Sequence, residues 1–154
     1  MKKKVYENPI INVFEKVSES LAHQKKIVTL ESSNWVNMIP LTDQNQIVFV
    51  KQFRYGTESE TLEIPGGMID NNEMPKLAAL RELYEETGYH CDKVIELGNI
   101  SPNPALFNNR VFTFFGKNAY LKNSNIENQN EISEVVLINL DEVPRLIKLG
   151  KIDH

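Results

Sequence analysis

The chain has 154 residues, the size of one ordinary domain, with 41% apolar and 25% charged residues, values that exclude disordered, collagen-like and disulfide-scaffold classes. Acidic residues outnumber Lys plus Arg by 21 to 17, and a net charge of -4 gives a long polyanion no footing, so nucleic acid is not an expected partner. No apolar run approaches bilayer length, no signal-type core follows the first residues, and the lone Cys91 cannot close an internal disulfide; a cytoplasmic protein without a membrane partner, residues 1–154 forming one domain, is expected.

Apolar or β-branched stretches predict strands over 10–17, 26–30, 36–41, 47–53 and 61–64. The breaks Glu31-Ser32-Ser33-Asn34, Thr42-Asp43-Gln44-Asn45 and Tyr55-Gly56-Thr57 have hairpin composition, so the first half should pair antiparallel. Next, Asn71-Asn72-Glu73-Met74-Pro75 supplies polar cap candidates and a first-turn proline for a helix over 76–87, which Gly88 stops. Further strands are predicted over 94–100, 111–117 and 134–140, then a short helix over 141–149 closed by Gly150. The Asn-rich residues 122–130 form the best long-loop candidate.

At 100° per residue Leu77, Leu80, Leu83 and Tyr84 share one face of the middle helix, and Glu82, Glu85 and Glu86 share roughly the opposite face. Carboxylates spaced i, i+3 and i+4 repel by a few tenths of a kcal/mol per pair, and the helix C-terminus disfavours anions further. One reading is a solvated acidic face. The other is a bound cation, favoured by the approach Leu62-Glu63-Ile64-Pro65-Gly66-Gly67-Met68-Ile69-Asp70, in which a strand ends on a glycine pair that permits close backbone approach to a ligand. Magnesium takes oxygen ligands and commonly bridges carboxylates to phosphates.

Gly67, Glu73, Arg81-Glu82-Leu83, Glu85-Glu86 and Gly88-Tyr89, at these spacings over 23 residues, resemble the signature box of the Nudix hydrolases. Tyr89 stands where an aliphatic residue is usual and keeps an apolar body for packing. The resemblance implies an α/β/α sandwich with a central mixed sheet. It also implies a divalent metal, Mg2+ or Mn2+, on Glu82, Glu85, Glu86 and the Gly66 carbonyl, with Glu73 and Arg81 orienting the site. The competing reading of Arg81 is an ordinary surface ion pair.

Val50-Lys51-Gln52-Phe53-Arg54-Tyr55 and Leu62-Glu63-Ile64-Pro65-Gly66-Gly67 are similar to the ADP-ribose and nucleoside-diphosphate-sugar pyrophosphatase branch of that family, as is Pro104, sixteen residues past Gly88. This implies hydrolysis of the pyrophosphate bond of a nucleotide sugar to a nucleoside monophosphate and a sugar phosphate. Arg54 is then the candidate for phosphate or ribose oxygens and Trp35 for stacking on the base, a half-buried strand tryptophan being the alternative. Asn103, Pro104 and Phe107 are candidates for the terminal-group end. After the proline, Ala105-Leu106-Phe107-Asn108-Asn109-Arg110 departs from the glycine and acidic residue typical of ADP-ribose enzymes. The general base is Glu85 or Glu131, with Glu127 second among loop residues and loop-surface charges the alternative.

His23, His90 and His154 lack metal-ligand spacing and are expected at the surface. Residues 149–154 resemble the segment that leads into a last helix in this branch. Related enzymes exchange N-terminal strands, so a homodimer through residues 1–40 is expected. The rival functions are an RNA 5'-end or cap pyrophosphohydrolase and a non-catalytic nucleotide sensor of the same fold.

Overall fold

The structure, a computed structural model, describes residues 2–17, 26–123, 132–152 and 154. In chain order its strands are Lys2–Glu7 (β1), Ile11–Val17 (β2), Lys26–Ser32 (β3), Trp35–Thr42 (β4), Gln46–Arg54 (β5), Ser59–Glu63 (β6), Gly66–Met68 (β7), Tyr89–His90 (β8), Lys93–Ile100 (β9), Val111–Leu121 (β10) and Ile132–Asn139 (β11). The helices are Pro75–Thr87 (α1) and Val143–Lys148 (α2), the second entered through a 3-10 turn at Leu140–Glu142.

Strands β1 to β3 form an antiparallel sheet of their own. The larger sheet runs β11-β5-β4-β10-β8, with β6 on β5, β7 on β4 and β9 on β10. It is mixed: β4 and β10 are parallel, the other pairs antiparallel. The antiparallel expectation for the first half therefore holds for β1 to β3, for the β4–β5 hairpin at residues 42–45 and for β5 with β6; it fails at residues 31–34, which pass from the small sheet to the large one, and the long partner of β4 is β10. A parallel pair needs a crossover, and here the connection carries α1.

Alternation along β5 builds two cores. Val48 joins Val36, Met38, Phe114 and the α1 residues Ala78, Ala79 and Leu83 on one face. Ile47 and Phe49 pack on the other face with Ile138, Val143 and Leu146. The two helices thus lie on opposite faces of the sheet, the expected α/β/α sandwich. Tyr89 packs against the first core. Cys91 is buried there too, and burial pushes its thiol up to about 11, which suits an inert side chain.

Helix α1 departs from its expected wiring at two points. Its N-cap is Met74, with no side-chain cap bond, so Asn71 and Asn72 do not cap it; Pro75 takes the first turn, and the Glu73 carboxylate accepts the Asp70 N–H at 3.1 Å instead. Leu77 is 55% exposed, and the inward stripe is Ala78, Ala79, Leu83, Glu86 and Thr87, because the alanines let the helix lie close to the sheet. Gly88 ends α1 at φ 72°, its N–H donating to Tyr84 O at 2.8 Å. No helix among the described residues is long and apolar enough to cross a membrane.

Candidate active site

Strand β7 is short because two glycines hold it between β4 and α1. It pairs Trp35 with Met68, Val36 with Gly67 and Asn37 with Gly66. A Cβ on Gly66 would collide with the Val36 carbonyl, and one on Gly67 would lie 2.5 to 2.7 Å from the Glu82 carboxylate. The glycine pair therefore brings backbone directly against the acidic turn of α1.

That turn is not a solvated face. Glu86 is 6% exposed, and its Oε2 accepts the Gly66 N–H at 3.1 Å. Burial, reinforced by Glu82 and Glu63 and only partly opposed by the Gly66 bond and the Arg54 charge, pushes its pKa up to about 8. Burial likewise raises Glu82, against the pull of Arg81.

Arg81 is the hub of the cluster. Its Nε and Nη2 donate to the two oxygens of Glu73 at 3.0 and 2.9 Å, Nη2 also to Met68 O at 3.0 Å, and Nη1 to Glu82 at 2.8 Å and Glu85 at 3.2 Å. The Arg81 hydrogen bond holds Glu73 below the usual carboxylate range, and Glu73 in turn raises Arg81. Five contacts from one guanidinium exclude the ordinary surface pair.

Among the described residues, no three acidic, histidine or cysteine side chains converge closely enough to hold an ion as they stand. Arg81 Nη1, bridging Glu82 and Glu85, supplies the positive charge there. The donor set nevertheless suits a hard dication: the ligands are all oxygen, and burial raises both Glu82, in spite of its Arg81 partner, and Glu86.

A cavity of about 410 Å³ opens over this turn, walled by Glu82, Glu86, Gly66, Gly67, Arg81, Asp70, Gln52, Arg54, Met68, Ile10 and Trp35. Trp35 is also a wall of a second, mostly apolar cavity of about 330 Å³ that includes Asn103, Phe107 and Asn109. Trp35, Asn103 and Phe107, assigned to two ends of a substrate from sequence, thus meet at one cavity. Pro104 is exposed and walls neither. Glu85 is hydrogen-bonded to Arg81 and lies outside the wall of the first cavity. Glu127 and Glu131 lie outside the described residues. A larger cavity of about 550 Å³, around Asp43 and Asn118, has no carboxylate cluster.

Two site residues were not legible in advance. Glu63, 3% exposed, grips Arg54 through both its oxygens; the signal that could have found it is a lone carboxylate between Leu62 and Ile64. Asn109, 6% exposed, enters the second cavity from the loop before β10.

A mixed sheet that lays a glycine loop against a Glu-rich helix turn, with an arginine tying that turn to the loop, is the architecture of a Nudix domain. The NUDIX domain family model matches residues 34–154, and the chain belongs to the Nudix family. It is 33% identical over 118 residues, 76% of this chain, to the methanol dehydrogenase activator of Bacillus methanolicus, and spans 64% of that protein's length. It is 28% identical over 149 residues, 96% of this chain and 80% of the other, to the ADP-ribose pyrophosphatase of Bacillus subtilis (strain 168). The crystal structure of an ADP compounds hydrolase shares the fold, with TM-score 0.79 and 21% identity over 96% of this chain and 80% of that one.

Proposed function

We propose that the protein hydrolyses the pyrophosphate bond of a nucleoside diphosphate sugar such as ADP-ribose, giving a nucleoside monophosphate and a sugar phosphate. The observation that carries this reading is the single cavity in which Glu82 and Glu86 face Arg54, with Trp35 leading on to an apolar chamber large enough for a base. The pyrophosphatase name of the Bacillus subtilis relative, matched along 96% of this chain, supports it.

Glu82, Glu85 and Glu86, with the Gly66 carbonyl, would hold a divalent cation, magnesium or manganese, which when bound neutralises a diphosphate and acidifies water. Arg54 binds a phosphate oxygen, its guanidinium aimed by Glu63. Arg81, anchored on Glu73 and Met68 O, fixes the rotamers of Glu82 and Glu85. Glu85 takes the proton of the attacking water; Glu131 is the second candidate for that role. The base lies against Trp35, with Asn103 and Phe107 beside it and Pro104 shaping their loop. We further propose a cytoplasmic homodimer of single-domain subunits, residues 1–40 making the dimer contact; sedimentation showing only monomer would refute it.

A panel of nucleotide sugars with product analysis tests the reaction. A nucleoside monophosphate plus a sugar phosphate is expected; inorganic phosphate as the only phosphorus product would overturn it.

A further inference from the structure

Strand β5 carries two polar side chains in succession into the acidic cavity. Alternation puts Val48, Val50, Gln52 and Arg54 on the same face, the one that Val48 shares with the α1 core. The valines are sealed, and Gln52 and Arg54 are walls of the cavity. At Gln52 the strand is paired on both sides, with Ile132 of β11 and Thr61 of β6, so its side chain leaves the sheet only through that face.

The Gln52 amide makes no hydrogen bond among the described residues, yet neither of its polar atoms is closed off from solvent. The whole residue is 4% exposed, so the little surface it keeps includes the amide, and it opens on the cavity that Gln52 walls. Thr61, directly opposite, turns its hydroxyl to Glu63 and to the Gln52 backbone carbonyl and leaves the amide alone. A largely desolvated amide without a partner destabilises a fold, and a third valine-like side chain would fill the position without that cost. A ligand in the cavity would offset it.

The neighbours define the ligand atom. Arg54 lies two residues on, about 7 Å along the strand, and Glu82 and Glu86 belong to the same cavity. A base finds its apolar walls at Trp35 and Phe107 in the second cavity, which Gln52 does not line. The group that fits between a guanidinium and a metal seat is the diphosphate. Its oxygens only accept, so they take the Nε2 end, and the amide is free to turn that end toward them because neither end is held. A lysine or arginine here would also attract Glu82 and Glu86 and compete with a dication for them; an amide donates a hydrogen bond without bringing a charge.

We infer that Gln52 is a substrate-binding residue whose Nε2 donates to a non-bridging oxygen of the substrate's diphosphate. The inference rests on the nucleotide-sugar reading for its anion, and its test does not depend on turnover.

Calorimetric titration with methylenediphosphonate in the presence of magnesium isolates the contact, since this diphosphate has a CH2 bridge that hydrolysis does not open and carries neither base nor sugar. Gln52→Met keeps the length and removes the amide, and Gln52→Leu is a second apolar variant. Each should bind the diphosphonate about tenfold or more weakly than wild type, the scale of one hydrogen bond to a charged acceptor. Without ligand both should melt at or above the wild-type temperature, because the amide removed had no partner in the fold, and both should take up manganese as wild type does. Wild-type affinity in both variants, a wild type that does not bind the diphosphonate, or affinity lost in step with melting temperature or manganese uptake would overturn the inference. Diphosphonate binding that depends on Gln52 in a protein that cleaves no nucleotide sugar would sink only the hydrolase reading; cleavage of a nucleotide sugar with variants that bind the diphosphonate as wild type does would sink only this one.

Discussion

Arg54 and Glu63 form a two-pronged ion pair, Nε to Oε1 at 2.8 Å and Nη2 to Oε2 at 2.6 Å, with the carboxylate sealed at 3% exposure and the guanidinium at the wall of the acidic cavity. Burial alone would keep Glu63 neutral, but hydrogen bonds from Arg54 and Thr61, with the Arg54 charge, outweigh it and hold the carboxyl below its ordinary value. Glu63→Gln removes one prong and the counter-charge. We expect KM to rise about tenfold with a smaller change in kcat, as befits a residue that aims a phosphate ligand; steady-state kinetics reads the split.

The same pair carries an acid limit. With the folded pKa below the unfolded 4.5, the stabilisation is present above pH 4.5 and is lost as pH falls through the folded value. Thermal melts of wild type and Glu63→Gln should therefore converge in acid and separate above pH 4.5. Curves a constant distance apart would contradict this.

Glu86 has the opposite sign. Its folded pKa of about 8 stands above the unfolded 4.5, so its contribution is fully present below pH 4.5 and is lost as pH rises through about 8. With chelator present, Glu86→Gln should become progressively more stable than wild type across that interval. Divalent metal added near neutrality should displace the proton, seen as a heat that scales with the ionisation enthalpy of the buffer.

Gly67→Ala places a methyl where the Glu82 carboxylate now lies, and that side-chain end can swing away while the backbone stays. The protein should fold and its metal affinity should fall about tenfold or more. Gly66→Ala meets the Val36 carbonyl and should destabilise the fold itself.

Glu85→Gln removes a carboxylate that is 34% exposed and accepts a 3.2 Å hydrogen bond from Arg81, so melting should barely change. Turnover should drop about 10²- to 10⁴-fold. Near-wild-type turnover would move the base elsewhere, with Glu131 next to be replaced.

The glycine loop, the acidic turn and Arg81 were readable from sequence because their spacing is local: 23 residues hold all of them, and helical period places Glu82, Glu85 and Glu86 together. Their burial was not readable from large side chains alone. Glu86 follows Ala79 and Leu83 at i+7 and i+3, but alanines are weak hydropathy markers, so the large apolar side chains trace a stripe through Leu77 that does not include it. The parallel pairing of Trp35–Thr42 with Val111–Leu121 is a long-range choice that no local pattern records. Asn109 becomes visible only through that pairing, since it walls the cavity from the second strand's entry while Trp35 walls it from the first.

Manganese titration followed by electron paramagnetic resonance addresses the acidic turn most directly. The wild-type protein should remove the free-ion signal with at least one equivalent bound, and Glu82→Gln combined with Glu86→Gln should leave that signal at full height. A wild-type titration indistinguishable from buffer, or a double variant that binds as wild type does, would contradict the assignment of Glu82, Glu85 and Glu86 as the metal seat.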